Sequence, residues 1–370
     1  MYSILKRFNF VGIIIPKNDK TMNKRLFFLL IWVIIPLTAL CEGTSETVNV
    51  IEAGTLRELV ADLKSTDIRQ LKISGNINAV DIKYLREGVG RLANLEVLDI
   101  KDVTLIPGDE PYYTFGVTFD MLWSYGSYSV YISDHTSTTD LGLLDWYTHG
   151  YRIDSDCLAY AFTETNLKKV VLPSTIKRIG EGAFKSCSNL ESVELPEGIQ
   201  AVDEQAFWRC SQLQSLNLST QLTYIGESAF SDCTNLTTIG YLKNVTEMGS
   251  GAFSGCSSFT GNVEGILDIS SLSSVPKGAF SNCAFNEIVF SSNLTEIGEY
   301  GFYECKNLKS VLLPNTIESI GACAFRSCTS LTDVSIPDNL ASIGYLAFDE
   351  TPWYSNLQPI DNVIYVGNVA

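Results

Sequence analysis

The stretch "IGEGAFKSCSNL", residues 179–190, returns along the chain with the same Ala-Phe-x-x-Cys centre. It recurs as "VDEQAFWRCSQL" from residue 202, "IGESAFSDCTNL" from residue 225 and "IGACAFRSCTSL" from residue 320. Phe162 and Phe348 extend the series, with Thr165 and Thr351 in the cysteine position. Nine units of about 23 residues indicate a repeat architecture, in which stacked units share one core. The repeated cysteines are Cys187, Cys210, Cys233, Cys256, Cys283, Cys305 and Cys328.

Each unit contains a short strand followed by the Ala-Phe turn. In "LKKVVLPSTIKRIGEGAFKSC", residues 167–187, Val170 and Leu172 are spaced with a period of two, and the recurrence of this Val-x-Leu spacing is typical of a strand with one buried face. Pro173 ends the strand, because proline cannot donate to the ladder, and Gly180 predicts a tight turn. Stacking then predicts a continuous parallel sheet. The longer unit around residues 257–280 predicts a bulge before its strand.

The consensus L-x-x-V-x-L-P-x-x-I-x-x-I-G-x-x-A-F-x-x-C-x-x-L resembles that of the BspA-like leucine-rich repeat family. The resemblance is strong over residues 158–354 and extends to residues 70–100. It implies an α/β repeat fold: a leucine-rich-repeat solenoid of ~23-residue units with a continuous parallel β-sheet on one face and little regular helix outside the N-terminal cap. It also implies a position outside a bacterial cell and a use in adhesion or recognition.

The start of the chain is typical of an exported protein. "MNKRLFFLLIWVIIPLTALC", Met22 to Cys41, has a basic start and an apolar core that is short for a membrane span. Met22 is the expected start of translation. Simple cleavage, lipidation at Cys41 and an uncleaved anchor all stay open, and we expect a cell-surface, outer-membrane-associated or secreted protein. The net charge of −16 repels nucleic acid and anionic membrane surfaces.

Composition and period divide the chain into four parts. Residues 1–41 hold the upstream segment and signal, and residues 42–107 hold an N-terminal cap with the first repeats. Residues 108–157 form an aromatic-rich insertion, and residues 158–370 form the solenoid. The chain stops soon after a "VIYVG" strand beyond which family members continue, so an incompletely capped C-terminal edge is expected.

The repeated cysteine has several possible roles. Metal ligands converge on a point, whereas stacked turns place these thiols in a line with steps of about 4.8 Å. A disulfide prefers Cβ atoms about 3.5–4.5 Å apart, and a nucleophile needs a recurring base. A buried ladder that fills each turn and bonds its backbone fits best, while disulfide pairing and metal binding stay open. Cys157 and Cys323 lie off the pattern and are unassigned.

The insertion, residues 108–157, is rich in Tyr and Trp. Long loops within compact folds are usually functional, and Tyr and Trp dominate binding hot spots, so one interpretation is a recognition platform. The alternative is a local hairpin that caps exposed core. His135 and His149 also lie here, but a metal pair lacks an evident third ligand. The candidate ligand-binding aromatics are Trp123, Tyr125, Tyr128, Trp146 and Tyr147.

The side chains between the core positions of each strand point away from the core, because strand residues alternate. They form a mostly small and polar face with few anchors. We therefore expect the face to supply selectivity and the insertion to supply affinity. The candidate binding residues on the face are Lys169, Glu194, Asn217, Glu287 and Asp333. The rest of the row comprises Gln70, Lys72, Val97, Asp99, Val171, Ser192, Ser215, Thr238, Gly240, Val289, Ser310, Leu312 and Ser335.

The sequence contains no G-x-S-x-G, H-E-x-x-H, Walker or dinucleotide motif. The favoured interpretation is a monomeric, non-enzymatic, exported protein without catalytic residues, metal or cofactor. Its expected partner is a protein or glycan, such as a component of host extracellular matrix, and not nucleic acid; contact with a membrane is expected only through a signal or lipid anchor. The alternatives are a structural cell-envelope component without a specific ligand and an enzyme whose site lies in residues 108–157.

Overall fold

The first described residues form a cap of parallel strands and short helices. The computed structural model describes residues 44–107, 113–118, 146–151, 156–240 and 242–357, with the backbone alone for 113–118 and 146–151. The cap consists of β1 (Thr44–Val50), α1 (Leu56–Ala61), β2 (Ile68–Ile77), α2 (Ala79–Glu87), a 3₁₀ turn (Gly90–Leu92) and β3 (Val97–Leu105). Its three strands are parallel neighbours in one sheet.

One buried carboxylate organises the cap. Asp81, 1% exposed, accepts hydrogen bonds from the backbone N–H groups of Gly54 (2.6 Å), Leu56 (3.0 Å) and Asn78 (3.1 Å). The Asn78 side chain accepts in turn from the first turn of α2, which completes a capping box. Gly88, at φ 56°, ends the helix in the left-handed conformation. Asp81 thus ties the start of α1 to the start of α2.

The insertion leaves the sheet between two neighbouring strands. Its described segments, β4 (Tyr113–Thr118) and β5 (Trp146–Tyr151), pair antiparallel. β3 nevertheless pairs directly with the first strand of the solenoid, Val97 opposite Lys169. The sheet therefore continues past the insertion, whose outgoing and returning segments run side by side.

From residue 156 the chain winds as a solenoid in which the turns carry two rows of parallel strands. The first row follows the Val-x-Leu part of the unit, and the second row, of two-residue strands, follows the Ile-Gly part. The first row contains β6 (Lys169–Val171), β8 (Ser192–Glu194), β10 (Ser215–Leu218), β12 (Thr238–Gly240), β14 (Ile266–Ile269), β16 (Glu287–Phe290), β18 (Ser310–Leu312) and β20 (Asp333–Ser335). The second row contains β7 (Arg178–Ile179), β9 (Ala201–Val202), β11 (Tyr224–Ile225), β13 (Glu247–Met248), β15 (Ser274–Val275), β17 (Glu296–Ile297), β19 (Ser319–Ile320) and β21 (Ser342–Ile343).

The strand order confirms the predicted leucine-rich-repeat solenoid and adds detail to its sheet. The first row joins the cap as a five-stranded sheet, β1-β2-β3-β6-β8, and goes on as the pairs β10-β12, β14-β16 and β18-β20. The second row forms two four-stranded sheets, β7 to β13 and β15 to β21. The first face is therefore a series of aligned segments rather than one unbroken ladder, and the second row was not predicted.

The Ala-Phe turn forms the remaining side of each coil and is hydrogen-bonded from turn to turn. Gly182 N donates to Glu204 O (2.9 Å), and Phe184 N donates to Ala206 O (2.7 Å). Gly182 and Ser186 have left-handed φ angles of 56° and 59°, and the equivalent positions of the other units share this conformation. The Ala-Phe turn expected from the sequence is thus regular and repeats in each unit.

A glycine follows six of the eight second-row strands and is required by close approach between turns. A Cβ added at Gly321 would lie 2.4 Å from Glu299 N and 2.6 Å from Gly298 C, both backbone atoms of the preceding turn. The predicted turn does begin at Gly321, because Ala324 N donates to Gly321 O (3.3 Å), but the φ angle there is not left-handed, so close approach rather than backbone freedom explains the glycine. The same kind of contact, with shortest distances of 2.3 to 2.8 Å, occurs at Gly180, Gly226, Gly249, Gly298 and Gly344.

Gly321→Ala is expected to lower the free energy of unfolding by roughly 1–3 kcal/mol, because the new methyl group must push two turns apart. Gly198→Ala is the matched control, since a Cβ there meets nothing within 4 Å and φ is not left-handed. We expect the control to be neutral or to stabilise by up to about 1 kcal/mol. Urea unfolding of both variants measures the difference, and equal effects would rule out the close-approach explanation.

The longer unit places its extra residues where the bulge was predicted. Residues 260–265 form a loop immediately before β14. Asn262 fixes the loop, because its side chain donates to Asp268 O (3.2 Å) and accepts from Asp268 N (2.8 Å). The bulge is held by hydrogen bonds and leaves the coil that follows in register.

The last described turn carries a short helix against the end of the core. The Thr351 side chain caps α3 (Pro352–Ser355) by accepting from Tyr354 N (3.1 Å). Trp353 packs edge-on against Phe348, with ring centroids 4.8 Å apart. Among the residues that the structure describes, no helix combines the length and apolar character needed to span a bilayer.

Candidate functional site

The core that the candidate face shares with the Ala-Phe turns contains a column of stacked phenylalanines. Successive Ala-Phe rings, from Phe162 to Phe348, have centroids 5.0 to 5.7 Å apart and lie within 21° of parallel. Phe259 and Phe285 replace the leucine that follows the cysteine in their units and pack against the same column. This continuous contact from turn to turn makes the outer surface a fixed platform.

The repeated cysteines form a second column beside the rings. Each thiol donates to the carbonyl oxygen of the Phe in the preceding unit, from Cys187 to Phe162 O (2.8 Å) through to Cys328 to Phe302 O (3.1 Å). The five intervening bonds, made by Cys210, Cys233, Cys256, Cys283 and Cys305, measure 3.0 to 3.3 Å. Thr165 makes the equivalent bond within its own turn, to Phe162 O (2.8 Å). The thiols therefore tie neighbouring turns through their backbone.

Burial makes these thiols poor nucleophiles. It raises the pKa of Cys187 to about 11 and that of Cys328 to about 12, and those of the other five lie well above the ordinary value for the same reason. None of the nine cysteines in the described part of the chain forms a disulfide. Cys323 has a left-handed φ angle (55°) in its turn. Cys157 pairs with Arg178 through its backbone, as an isolated parallel β-bridge. Within the same residues, no group of three His, Cys, Asp or Glu side chains is placed to hold a metal ion.

The N-terminal part of the face carries charges that are paired with one another. Lys72 lies 2.8 Å from Asp102 and 3.7 Å from Asp99, and Lys169 forms an ion pair with Glu194. The pKa of Lys72 is raised, first by its hydrogen bond to Asp102. The structure thus brings two candidate residues, Lys169 and Glu194, together as partners.

The middle of the face is small and neutral. Ser215 is opposite Thr238, as predicted by the alternation, but an extra residue in β10 places Leu218 rather than Asn217 opposite Gly240. Asn217 stays exposed and Leu218 stays buried despite the shift. This stretch offers backbone and hydroxyl groups to a ligand without a large side chain to grip it.

The C-terminal part of the face is apolar and acidic. Val289 and Leu312 are 45% and 74% exposed, and the candidate residues Glu287 and Asp333 are exposed beside them. The predicted row left out Ile266 and Asp268 of β14, which pair with Glu287 and Val289. They were missed because the longer unit breaks the 23-residue count that locates each strand.

The insertion residues are only partly described. Trp123, Tyr125 and Tyr128 lie outside the described residues, as does the lipidation candidate Cys41. Trp146 and Tyr147 lie on β5, opposite Thr118 and Val117. Of the groups that an enzyme would need, His149 pairs with Phe115 along the backbone, and His135 lies outside the described residues. The platform, cap and enzyme interpretations therefore stay predictions.

Two side-chain clusters on the solenoid were not predicted. Arg178 and Asp203 form a partly buried pair, 2.7 Å apart, and burial raises the pKa of Asp203 to about 6 despite the guanidinium. On the turn side, Lys185 Nζ and Arg209 Cζ lie over the ring of Trp208, 5.0 and 4.1 Å from its centre. Lys185, Trp208 and Arg209 occupy variable positions of the repeat, where the consensus gives no signal, whereas Asp203 stands at the consensus glycine position, so its departure from the consensus could have marked it. Because the two cations already pack on the Trp208 ring, a sugar that stacked on this ring would have to displace them.

Comparison with known proteins gives one family match. The model of the BspA type leucine rich repeat region matches the chain in six copies, over residues 157–265 and 259–370. Together these ranges cover more than half of the chain. No curated protein gives a match.

Several solved structures resemble parts of the chain. A leucine-rich repeat protein from Eubacterium ventriosum is 17% identical, with 80% of this chain and 87% of that chain covered and a TM-score of 0.35. A T. pallidum leucine rich repeat protein is 24% identical, with 52% and 68% covered and a TM-score of 0.29. A leucine rich cell surface protein from Faecalibacterium prausnitzii is 20% identical, with 55% and 82% covered and a TM-score of 0.25. At these values the likenesses add no argument about function.

Proposed function

The chain belongs to the family of BspA-type leucine-rich repeat proteins, and from that premise we propose that it is an exported, non-enzymatic recognition protein. Its partner is a protein or glycan, such as a component of host extracellular matrix. Binding takes place on the outward face of the first strand row, with the insertion of residues 108–157 beside one end of that face. The insertion supplies most of the affinity, and the face supplies selectivity.

The observation that supports this proposal is a row of outward-facing, partly exposed side chains in consecutive register. Gln70, Val97, Lys169 and Ser192 stand opposite one another across four strands, and β10 to β20 extend the row. The strands of the row share one buried core with the column of stacked rings, so the geometry of the row is fixed before a partner arrives. Preorganised surfaces lose less conformational entropy on binding. A long surface with few large side chains suits a partner that makes weak contacts with many turns and binds more tightly to the insertion at one end.

Export is supported by the sequence from Met22 to Cys41, with its basic start and apolar core. Free, deeply buried thiols are compatible with an oxidising compartment, because a thiol that solvent cannot reach is slow to oxidise. N-terminal sequencing and lipid labelling of the protein purified from the producing cell distinguish cleavage, lipidation at Cys41 and retention of the segment.

Deletion of residues 110–150 is expected to leave the repeats folded and to abolish binding. The repeats should survive because β3 pairs directly with β6. Binding should be lost because the deletion removes most of the aromatic side chains that would anchor a partner. The full protein is first screened in pull-downs against matrix proteins and glycans, and the deletion variant is then tested on whatever partner is found, with its melting transition recorded.

The outcomes separate the interpretations of the insertion. Unfolding of the deletion variant would show that the insertion is a cap. A folded variant with full affinity would remove the insertion from the binding site. Glu318→Gln, which changes an exposed side chain next to the second strand row, is a control that should bind as the unmodified protein does.

A further inference from the structure

The C-terminal part of the face differs from the rest in combining exposed apolar side chains with carboxylates. We call the set of Glu287, Val289, Leu312 and Asp333 the C-terminal patch. Leu312 is 74% exposed, although the two flanking residues, Val311 and Leu313, are buried. An exposed leucine beside an exposed valine marks a surface suited to a partner more than an isolated apolar side chain does.

The strand register brings the four residues together. Ser310 is opposite Asp333, and Leu312 is opposite Ser335. Lys309 N donates to Asn286 O (3.0 Å), and this bond sets the same offset of 23 residues between β16 and β18. Leu312 then lies next to Val289, and Ser310 lies between Glu287 and Asp333. The patch is thus an apolar line beside an acidic line, both running across the strands.

The carboxylates of the patch lack counter-ions of their own. In the described part of the chain, no Lys or Arg nitrogen lies within 4.0 Å of Glu287 or Asp333, and this includes the neighbouring Lys309. In contrast, Lys72 and Lys169 at the other end of the face are held by ion pairs. In the N-terminal part of the face the lysines are therefore neutralised by carboxylates of the same chain. In the C-terminal patch two carboxylates beside the apolar line remain able to pair with cations of a partner.

The spacing of the patch fits a helix laid across the strands. Neighbouring strands are about 4.8 Å apart, so Val289 and Leu312 are separated by roughly the distance between helix positions i and i+3 or i+4. Glu287 and Asp333 lie two strands apart, about 9.6 Å, which is close to the rise of about 10.5 Å over seven helix residues. An apolar stripe and a row of basic side chains on one helix can then meet both lines at once.

We propose that the C-terminal patch docks a cationic amphipathic helix of a partner protein. This deepens the proposed recognition function and rests on it, since it names the chemistry of the partner and the part of the face that it contacts. The apolar stripe of the helix covers Val289 and Leu312. Its Lys or Arg side chains reach Glu287 and Asp333 at the rim, where charge governs association rate and salt dependence.

The test uses the full chain and a fluorescent 18-residue peptide of lysine and leucine at helical spacing, followed by anisotropy. Two comparison peptides replace lysine by glutamate or leucine by serine. The double variant Glu287→Gln/Asp333→Asn is matched by Glu296→Gln/Glu318→Gln, which removes the same charge from the second-row side of neighbouring turns. Leu312→Ser tests the apolar line. All five positions are exposed, so the variants should melt as the unmodified protein does.

We expect the lysine–leucine peptide alone to bind, with at least a tenfold loss of affinity in the patch double variant and in Leu312→Ser, and less than a twofold change in the matched control. Equal weakening by both double variants would show non-specific attraction by the net charge and overturn the proposal, as would binding of neither lysine-containing peptide. Binding of the lysine–serine peptide as tightly as the lysine–leucine one would also overturn it. A natural partner whose binding needs residues 110–150 but is unchanged by the patch variants would support the proposed function and overturn this inference. Patch-dependent binding of the peptide, with no natural partner found in the screen, would support the inference and count against the proposed function.

Discussion

Raising the pH from about 8 to about 9 is expected to remove about 5 kcal/mol from the free energy of unfolding, and by about pH 10 the protein should unfold. The seven ladder thiols cause this loss. Burial holds their pKa values at about 11 for Cys187, about 12 for Cys328 and well above the ordinary value for the rest, whereas an unfolded thiol titrates near 8.5. The folded chain therefore keeps protons that the unfolded chain releases, so stability falls as the pH rises through the unfolded value. Each thiol contributes about 0.7 kcal/mol over this first pH unit and about 1.4 kcal/mol over each later one.

Urea unfolding at the two pH values, with a reductant present, measures the effect. The double variant Cys233→Ser/Cys256→Ser is the control, because serine keeps a hydrogen-bond donor without a thiol that titrates. Its loss of stability between about pH 8 and 9 should be smaller by about 1.4 kcal/mol. An identical loss in the variant and the unmodified protein would mean that other groups cause the alkaline unfolding.

Phe230→Ala is expected to lower the free energy of unfolding by about 3–5 kcal/mol. Phe230 is fully buried and stacks on Phe207 and Phe253, with centroids 5.3 and 5.0 Å away. Its loss opens a cavity between two turns in the middle of the array, where each turn depends on its neighbours. Phe348→Ala should cost less, because Phe348 has one ring of the column, Phe325, on one side and the edge of Trp353 on the other.

Thermal and urea unfolding of both variants tests the coupling between turns. The midpoint of Phe230→Ala should fall further than that of Phe348→Ala. Equal shifts for the two would contradict a core in which stability passes from one turn to the next.

The features of the fold that could be predicted are those that recur with the repeat of about 23 residues. The recurrence of Phe and Cys located the stacked turns, and the Val-x-Leu alternation located the first strand row. The second strand row was not predicted, because strands of two residues, such as Arg178–Ile179, are too short to show an alternation of buried and exposed side chains. The residues with left-handed φ angles were not predicted, because several of them, such as Gln205 and Arg209, have no preference for that backbone conformation.

The face was predictable as a row of positions but not as an electrostatic surface. Alternation places Lys169 and Glu194 outward, but only the three-dimensional register makes them ion-pair partners. The contrast with Glu287 and Asp333 likewise depends on which cations the neighbouring turns bring close, and spacing along the chain does not determine that. The buried Asp81 of the cap gave no sequence signal beyond an Asn-x-x-Asp start to a helix.

Mass spectrometry of the unreduced, natively alkylated protein tests most directly whether the repeated cysteine is a packing group. Each ladder thiol is buried and donates to a Phe carbonyl of the preceding unit. We expect these seven cysteines to be unbridged and unlabelled in the folded protein and to be labelled fully once it is unfolded. Cys157, which is partly exposed, should react first among the described cysteines. Disulfides between successive units, or rapid alkylation of the ladder positions in the folded state, would contradict the hydrogen-bonded ladder.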